Sequence, residues 1–221
     1  MKTIISETLK HSIPDFKIGI ITYHDIAVSD SPQFFKEQMH ALEKELMLSF
    51  EEKSVGELEG VKEWRQLFKR LGTDPSRYRP SHEALLRRLY KGQSFPLIHS
   101  AADVNNYLSA RYQIPLGIYD CDKLSAPLSI RLGGQDDDYD ALNGREMKMA
   151  QKLVSADRAG AFGSPIVDSK RTMTTADTRN ALHIVYLKPS DSLETCYQLL
   201  QSISHLFTEV NGGQSHDPFI L

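Results

Sequence analysis

The chain has 221 residues, 40% of them apolar and 25% charged, with a formal net charge of −3. That is enough to build one good core, or two small lobes sharing one, and the ordinary apolar content with charges of both signs mixed reads as a soluble globular protein. Cys121 and Cys196 sit in no metal or redox spacing, which fits a reducing cytoplasm. The opening residues MKTIISETLKHSIPDF carry no signal-like apolar run, and no stretch is apolar enough to cross a membrane. Charge is unevenly spread. Residues 25–60 hold nine acidic and three basic side chains, whereas 61–91 hold nine basic and three acidic ones. The basic stretch is either a phosphate-facing surface or one of two solvated helices of opposite sign that attract each other.

In chain order, Phe16–Val28 is β-rich and reads as a strand. Ser31-Pro32 reads as a capping hydroxyl followed by a first-turn proline. Phe35, Met39, Leu42, Leu46 and Phe50 then make one apolar stripe, so Pro32–Lys53 is predicted as an amphipathic helix with an acidic outer face. Gly56 and Gly60 break the pattern. Val61, Trp64, Phe68 and Leu71 mark the buried face of a second helix, and Gly72 supplies its stop. Thr73–Pro80 is too proline-rich and polar for regular structure. Ser81 caps a third helix with Ala84, Leu85, Leu86 and Leu89 inward, and Arg87, Arg88 and Lys91 crowd its last turn.

Asp103–Tyr112 has helical spacing at Val104, Tyr107, Leu108 and Tyr112, and Ile114-Pro115 ends it. Leu116–Tyr119 follows as a buried strand, left through the polar turn Asp120-Cys121-Asp122-Lys123. Helix and strand therefore converge on a corner carrying Asn105, Asn106, Asp120 and Asp122, which either fixes the fold or holds a ligand. Leu128–Leu132 alternates like a strand, Gly133–Asp140 is an acidic loop, and Asn143-Gly144 is a hairpin signal. Short strands are expected at Lys152–Ala156 and Ala161–Phe162, and a stronger one at Asn180–Leu187. Pro189, Ser190 and Asp191 open a last helix with Leu193, Cys196, Leu200, Ile203 and Phe207 on its core face, ended by Gly212-Gly213. With no internal repeat or linker, one compact α+β unit is expected.

No Gly-rich phosphate loop, nucleophile elbow or zinc-ligand spacing is present. The segment Gly163–Asn180 is dense in Ser, Thr and Asp. Such groups hold a ribose, an α-amino group or a water, and equally cap turns through local bonds. Its Arg171 and Arg179 offer planar forks for phosphate or carboxylate.

Four motifs carry a resemblance. Asp103-Val104-Asn105-Asn106-Tyr107, then Pro115-Leu116, then Tyr119-Asp120-Cys121-Asp122-Lys123-Leu124, resemble the D-V-T-N-Y…P-L-H-A-F-D-L-D-K-L run of the B3/B4 domain. That domain belongs to the beta subunit of bacterial phenylalanyl-tRNA synthetase, where it hydrolyses mischarged tRNA. Ala159–Gly163 is similar to its A-G-V-M-G, and Thr175–Asn180 to its T-E-E-T-x-N. Trp64-Arg65, Phe68, Gly72, Asp74-Pro75, Tyr78–Ser81 and Glu83–Arg88 resemble a W-R-x-x-F-x-x-x-G-x-D-P-x-x-Y-R-P-S-x-E-A-L-L-R-R motif of free-standing relatives. The likeness runs from about Trp64 to Asn180. It implies a three-layer α+β fold with an unusual β-sandwich core flanked by helices. Residues 61–221 would be the B3/B4-like domain, and residues 1–60 a strand and acidic helix packed on it.

The resemblance also implies a partner, tRNA or the 3′ end of an aminoacyl-tRNA, with neither membrane nor DNA involved and no cofactor or metal expected. The substrate pocket it implies is Asn105, Asn106, Gly117, Tyr119, Asp120, Asp122, Gly163, Ser164, Arg171, Thr172 and Thr175. The RNA contacts would be Arg77, Arg79, Arg87, Arg88 and Lys91. Its reaction would be hydrolysis of a mischarged aminoacyl-tRNA in trans, although no residue stands out as a general base. The pattern departs from the synthetase domain at three places: Gly117 replaces a histidine, Ile184 a glutamate that reads the tyrosine hydroxyl, and Asn105 a threonine. Tyrosine selectivity is therefore not implied. A non-catalytic module for a free amino acid, a nucleoside or a protein partner is the alternative. On a purely structural reading, Arg87 and Arg88 simply pair with the acidic helix.

Overall fold

In the computed structural model, which describes residues 2–221, two sheets face each other and helices cover one of them. The elements in order are β1 (Thr3–Ile5), α1 (Glu7–Ser12), β2 (Ile18–His24), α2 (Gln33–Glu52), α3 (Glu59–Arg70), α4 (Ser81–Tyr90), α5 (Ser100–Tyr112) and β3 (Leu116–Asp120). Then come β4 (Leu128–Leu132), β5 (Asp138–Asp140), β6 (Glu146–Lys148), β7 (Leu153–Asp157), β8 (Gly160–Gly163), β9 (Ala181–Tyr186), α6 (Leu193–Asn211), β10 (Gln214–Ser215) and β11 (Phe219–Ile220). The first sheet runs β1-β4-β7-β8. The second runs β10-β2-β9-β3, with β11 also on β2. The fold is α+β, and no helix among the described residues is long and apolar enough to cross a membrane.

Register decides which side chains meet. In the second sheet Ile20, Ile184 and Gly117 lie abreast, as do Gly19, Val185 and Leu116. Side chains alternate between faces along a strand. Gly117 and Tyr119 therefore look toward the first sheet, where Tyr119 meets Phe162 edge to face at 4.8 Å and the Tyr186 hydroxyl bonds Ser155 at 2.7 Å. Leu116 and Ile118 look the other way, toward the helices. On that side Gly19 is crowded by Leu200 of α6, Tyr23 packs at a tilt on Phe207, and His183 meets Phe207 edge to face.

The first 60 residues contribute to both sheets. β1 pairs with β4 in parallel, and β2 lies between β9 and the C-terminal strands.

Local details depart from the sequence pattern where tertiary contacts outweigh propensity. Ser31 makes no cap for α2; its hydroxyl donates to Asp103 Oδ2 at 2.6 Å, tying α2 to α5. Gly60 lies inside α3 rather than before it, and the Gln113 carbonyl leaves no room there for a Cβ. Ser81 is the first residue of α4 instead of its cap. That helix buries His82, Glu83, Leu86 and Leu89, while Ala84 is exposed and Leu85 half-buried. α5 begins three residues earlier than its apolar spacing suggests, because the His99 ring caps it through Ala102 N–H. The acidic loop contains β5, which pairs with β6 across the Asn143-Gly144 turn. Ser192, and not Ser190 or Asp191, caps α6.

Candidate functional site

The α4 arginines separate into two groups. Glu83 is fully buried, and a carboxylate taken out of water needs compensating charge. Arg65 Nη1 reaches its two oxygens at 3.0 and 3.1 Å, Arg87 Nε donates to Oε1 at 2.7 Å, and Arg79 Nε lies at 3.5 Å. Arg79 and Arg87, expected on RNA, are thus committed to this internal ion cluster. Neither Arg87 nor Arg88 pairs with α2, so the attraction between oppositely charged helices is not what holds them. Arg88 Nε donates to the Ser94 carbonyl at 2.8 Å, and Arg77 lies over the Tyr78 ring. Arg77, Arg88 and Lys91 have no carboxylate partner among the described residues.

Beside α4 lies a cavity of about 650 Å³ between α4, α5, β3 and the segment after β8. Leu85, Ile98, Leu116, Ile118 and Ile166 give it apolar walls. Arg88, His99, Asn105, Asn106, Asp168 and Thr174 supply polar groups. His99 is fixed at both nitrogens: Nδ1 accepts Ala102 N–H, so Nε2 holds the proton and donates to the Thr174 carbonyl at 3.1 Å. Asn105 is buried, and its Oδ1 has no donor among the described residues.

The strand β3 separates this cavity from the packed interior of the sandwich. On the interior side, a Cβ built on Gly117 would lie 2.1 Å from the Tyr119 hydroxyl oxygen, and one on Gly163 2.2 Å from it. The tyrosine ring fills the space between the two glycines, which leaves no room for a histidine at position 117. Ile184 is fully buried directly across from Gly117. The Tyr119 hydroxyl then donates to Asp168 Oδ1 at 2.7 Å, and Ser164 N–H reaches the same oxygen at 3.2 Å. Burial pushes the Asp168 carboxyl up to about 7, against the pull of these two donors. Burial also raises the Tyr119 phenol well above its ordinary value, so it stays a protonated donor.

Of the expected pocket residues, Asn105 and Asn106 line the cavity, while Gly117, Tyr119, Gly163 and Ser164 form the packing and hydrogen bonds behind Asp168. The others lie elsewhere. Asp120 is held by Asp122 N–H, the Thr178 hydroxyl and Lys123. Asp122 is exposed in that turn. Arg171 forks onto Asp157 at 2.9 and 3.0 Å, Thr172 is buried against the Phe162 carbonyl, and Thr175 closes a turn with Asp177 and Thr178. The Ser/Thr/Asp-rich segment therefore serves mostly as turn chemistry. Asp168 was concealed in it, because nothing in the sequence distinguishes it from Asp177. Cys121 is no nucleophile: burial, with Asp120 and Asp122 nearby, pushes its thiol up to about 12. No group of three or more His, Cys, Asp or Glu side chains able to hold a metal occurs among the described residues.

The chain is thus a two-sheet α+β domain in which a partly apolar, amide-lined cavity lies beside basic side chains. A sequence model described as "B3/4 domain" matches residues 63–205, and the chain belongs to that family. It is 26% identical over 193 residues to the uncharacterised protein YhzB of Bacillus subtilis, covering 87% of this chain and 86% of that protein. It is 31% identical over 87 residues to a phenylalanine–tRNA ligase beta subunit of Bartonella henselae, covering 38% of this chain and 11% of the subunit. Among solved structures it is similar to an N-terminal fragment of the phenylalanyl-tRNA synthetase beta subunit from Pyrococcus horikoshii. That likeness has a TM-score of 0.48 at 16% identity and covers 97% of this chain and 50% of the fragment.

Proposed function

We propose that the chain binds the aminoacylated 3′ end of a tRNA, with the acyl group in the cavity, and hydrolyses mischarged esters in trans. The observation that carries this reading is that Arg88 borders the same cavity that Asn105, Asn106 and Asp168 line. A phosphate-binding fork and an acyl-sized hollow are therefore one feature. The family membership supports a tRNA-related role. Hydrolysis would use a water positioned among the cavity's polar groups, with amide donors facing the developing oxyanion. Tyrosine selectivity is not part of the proposal, since the wall offers Leu116, Ile118 and Ile166 to the side chain.

The test is filter binding of total tRNA at two salt concentrations, with deacylation assayed over a panel of mischarged tRNAs. With Arg77, Arg88 and Lys91 as the phosphate contacts, log affinity should fall against log salt with a slope of about −2. Binding that ignores salt removes RNA from the reading, and uniform inactivity across the panel removes hydrolysis. A second reading, a module for a free amino acid, is favoured by one observation. Arg79 and Arg87 are held by Glu83, so the basic rim is thinner than the sequence suggests.

A further inference from the structure

Asp168 is the cavity's carboxyl, and its surroundings fix what it can recognise. Its Oδ1 is saturated by Tyr119 and Ser164, while its Oδ2 accepts no hydrogen bond within the described chain. The donors hold the carboxyl plane in one orientation, with one oxygen left for a visitor. The Oδ1 of Asn105 also lacks a donor, but it is shut off from the open cavity. The remaining lining is largely apolar side chains. A carboxylate oxygen short of a donor in a largely apolar hollow calls for a ligand that brings an N–H group and positive charge on an apolar body.

We propose that the cavity reads a free, cationic α-amino group, docked on Asp168, so that its ligands are apolar aminoacyl groups with an unblocked amine. This rests on the reading that the cavity receives the acyl end, and it names the group by which that end is recognised. Tyr119 is a positioning residue: it touches Asp168 and not the ligand. The titratable groups around Asp168 are Tyr119, Tyr139 and Tyr186 on the sandwich side, with His99 and Arg88 on the cavity lining. Burial raises all three phenols, so they remain neutral across the working range.

Binding requires Asp168 ionised and the amine protonated. Affinity should therefore rise through about pH 7 as the carboxyl loses its proton, and fall as an α-amine deprotonates near about 8. The experiment is calorimetric titration of the full chain with L-isoleucinamide and L-phenylalaninamide, and with their N-acetyl forms, from pH 5.5 to 9. The expected result is saturable binding of the free amines with that bell-shaped profile, at least tenfold weaker binding of the N-acetyl forms, and at least tenfold loss for Asp168→Asn. Asparagine keeps an oxygen for Tyr119 and Ser164 while removing the charge. Equal binding of blocked and free amines overturns the proposal, and so does absence of binding at millimolar concentration. The wild-type comparison decides the matter even if the variant fails to fold. Failure here with salt-sensitive tRNA binding intact removes only the amine site. Amine binding without tRNA binding removes only the RNA partner.

Discussion

The two sides of β3 are built from the same five residues and do opposite things. Toward the first sheet, Gly117 and Tyr119 are locked into a solid interior, the tyrosine hydroxyl resting where glycine leaves space. Toward the helices, Leu116 and Ile118 border an open cavity. Asp168 stands between them, held by the packed side and presented to the open one. The difference teaches that the solid half is what aims the carboxyl presented to the open half.

The most damaging way to break that relation is Gly117→Ala. Its methyl would collide with Tyr119, and overpacking of this kind costs about 1–3 kcal/mol or more. Denaturant melts should show that loss, together with loss of any ligand binding. Tyr119→Phe keeps the ring but takes one donor from Asp168 Oδ1. About 1–2 kcal/mol of stability should go, with weaker ligand binding and the Asp168 titration moved upward.

Asp168→Asn sharpens the comparison through pH. The wild-type carboxyl titrates near 7 in the fold, raised from 3.8, so between those values the native state holds a proton that the unfolded chain has lost. Wild-type stability from this group is therefore intact at low pH and lost as pH rises to about 7. The variant lacks that titration, so its melting temperature should gain on the wild type by several degrees between pH 4 and 8. Arg88→Ala, on the open side alone, should leave stability within about 0.5 kcal/mol while lowering the salt slope of tRNA binding by about one.

Much of the frame was legible because its signals are local. The stripe of α2, the glycine stop after α3, the Asn143-Gly144 hairpin and the apolar run of β9 depend on near neighbours. The family motifs were equally plain in the sequence. The cavity was only half legible. Asn105 and Asn106 could be singled out from the helix–strand corner, but the side of β3 that each residue faces depends on register with β9. Helix periodicity put Ala84 and Leu85 inward, whereas α4 turns Glu83 to the interior because three arginines from outside and along that helix neutralise it. Ser31 looked like a cap and instead bonds a residue 72 positions away. No local rule carries such a contact.

Gly117, Gly163 and the aromatic ring between them make a three-residue lock in which each position licenses the other two. The synthetase run quoted above pairs a histidine at position 117 with a phenylalanine at 119, so the ring there must turn out of the space that Tyr119 fills here. The glycine thus selects the rotamer of its second neighbour, and with it the direction from which Asp168 is gripped.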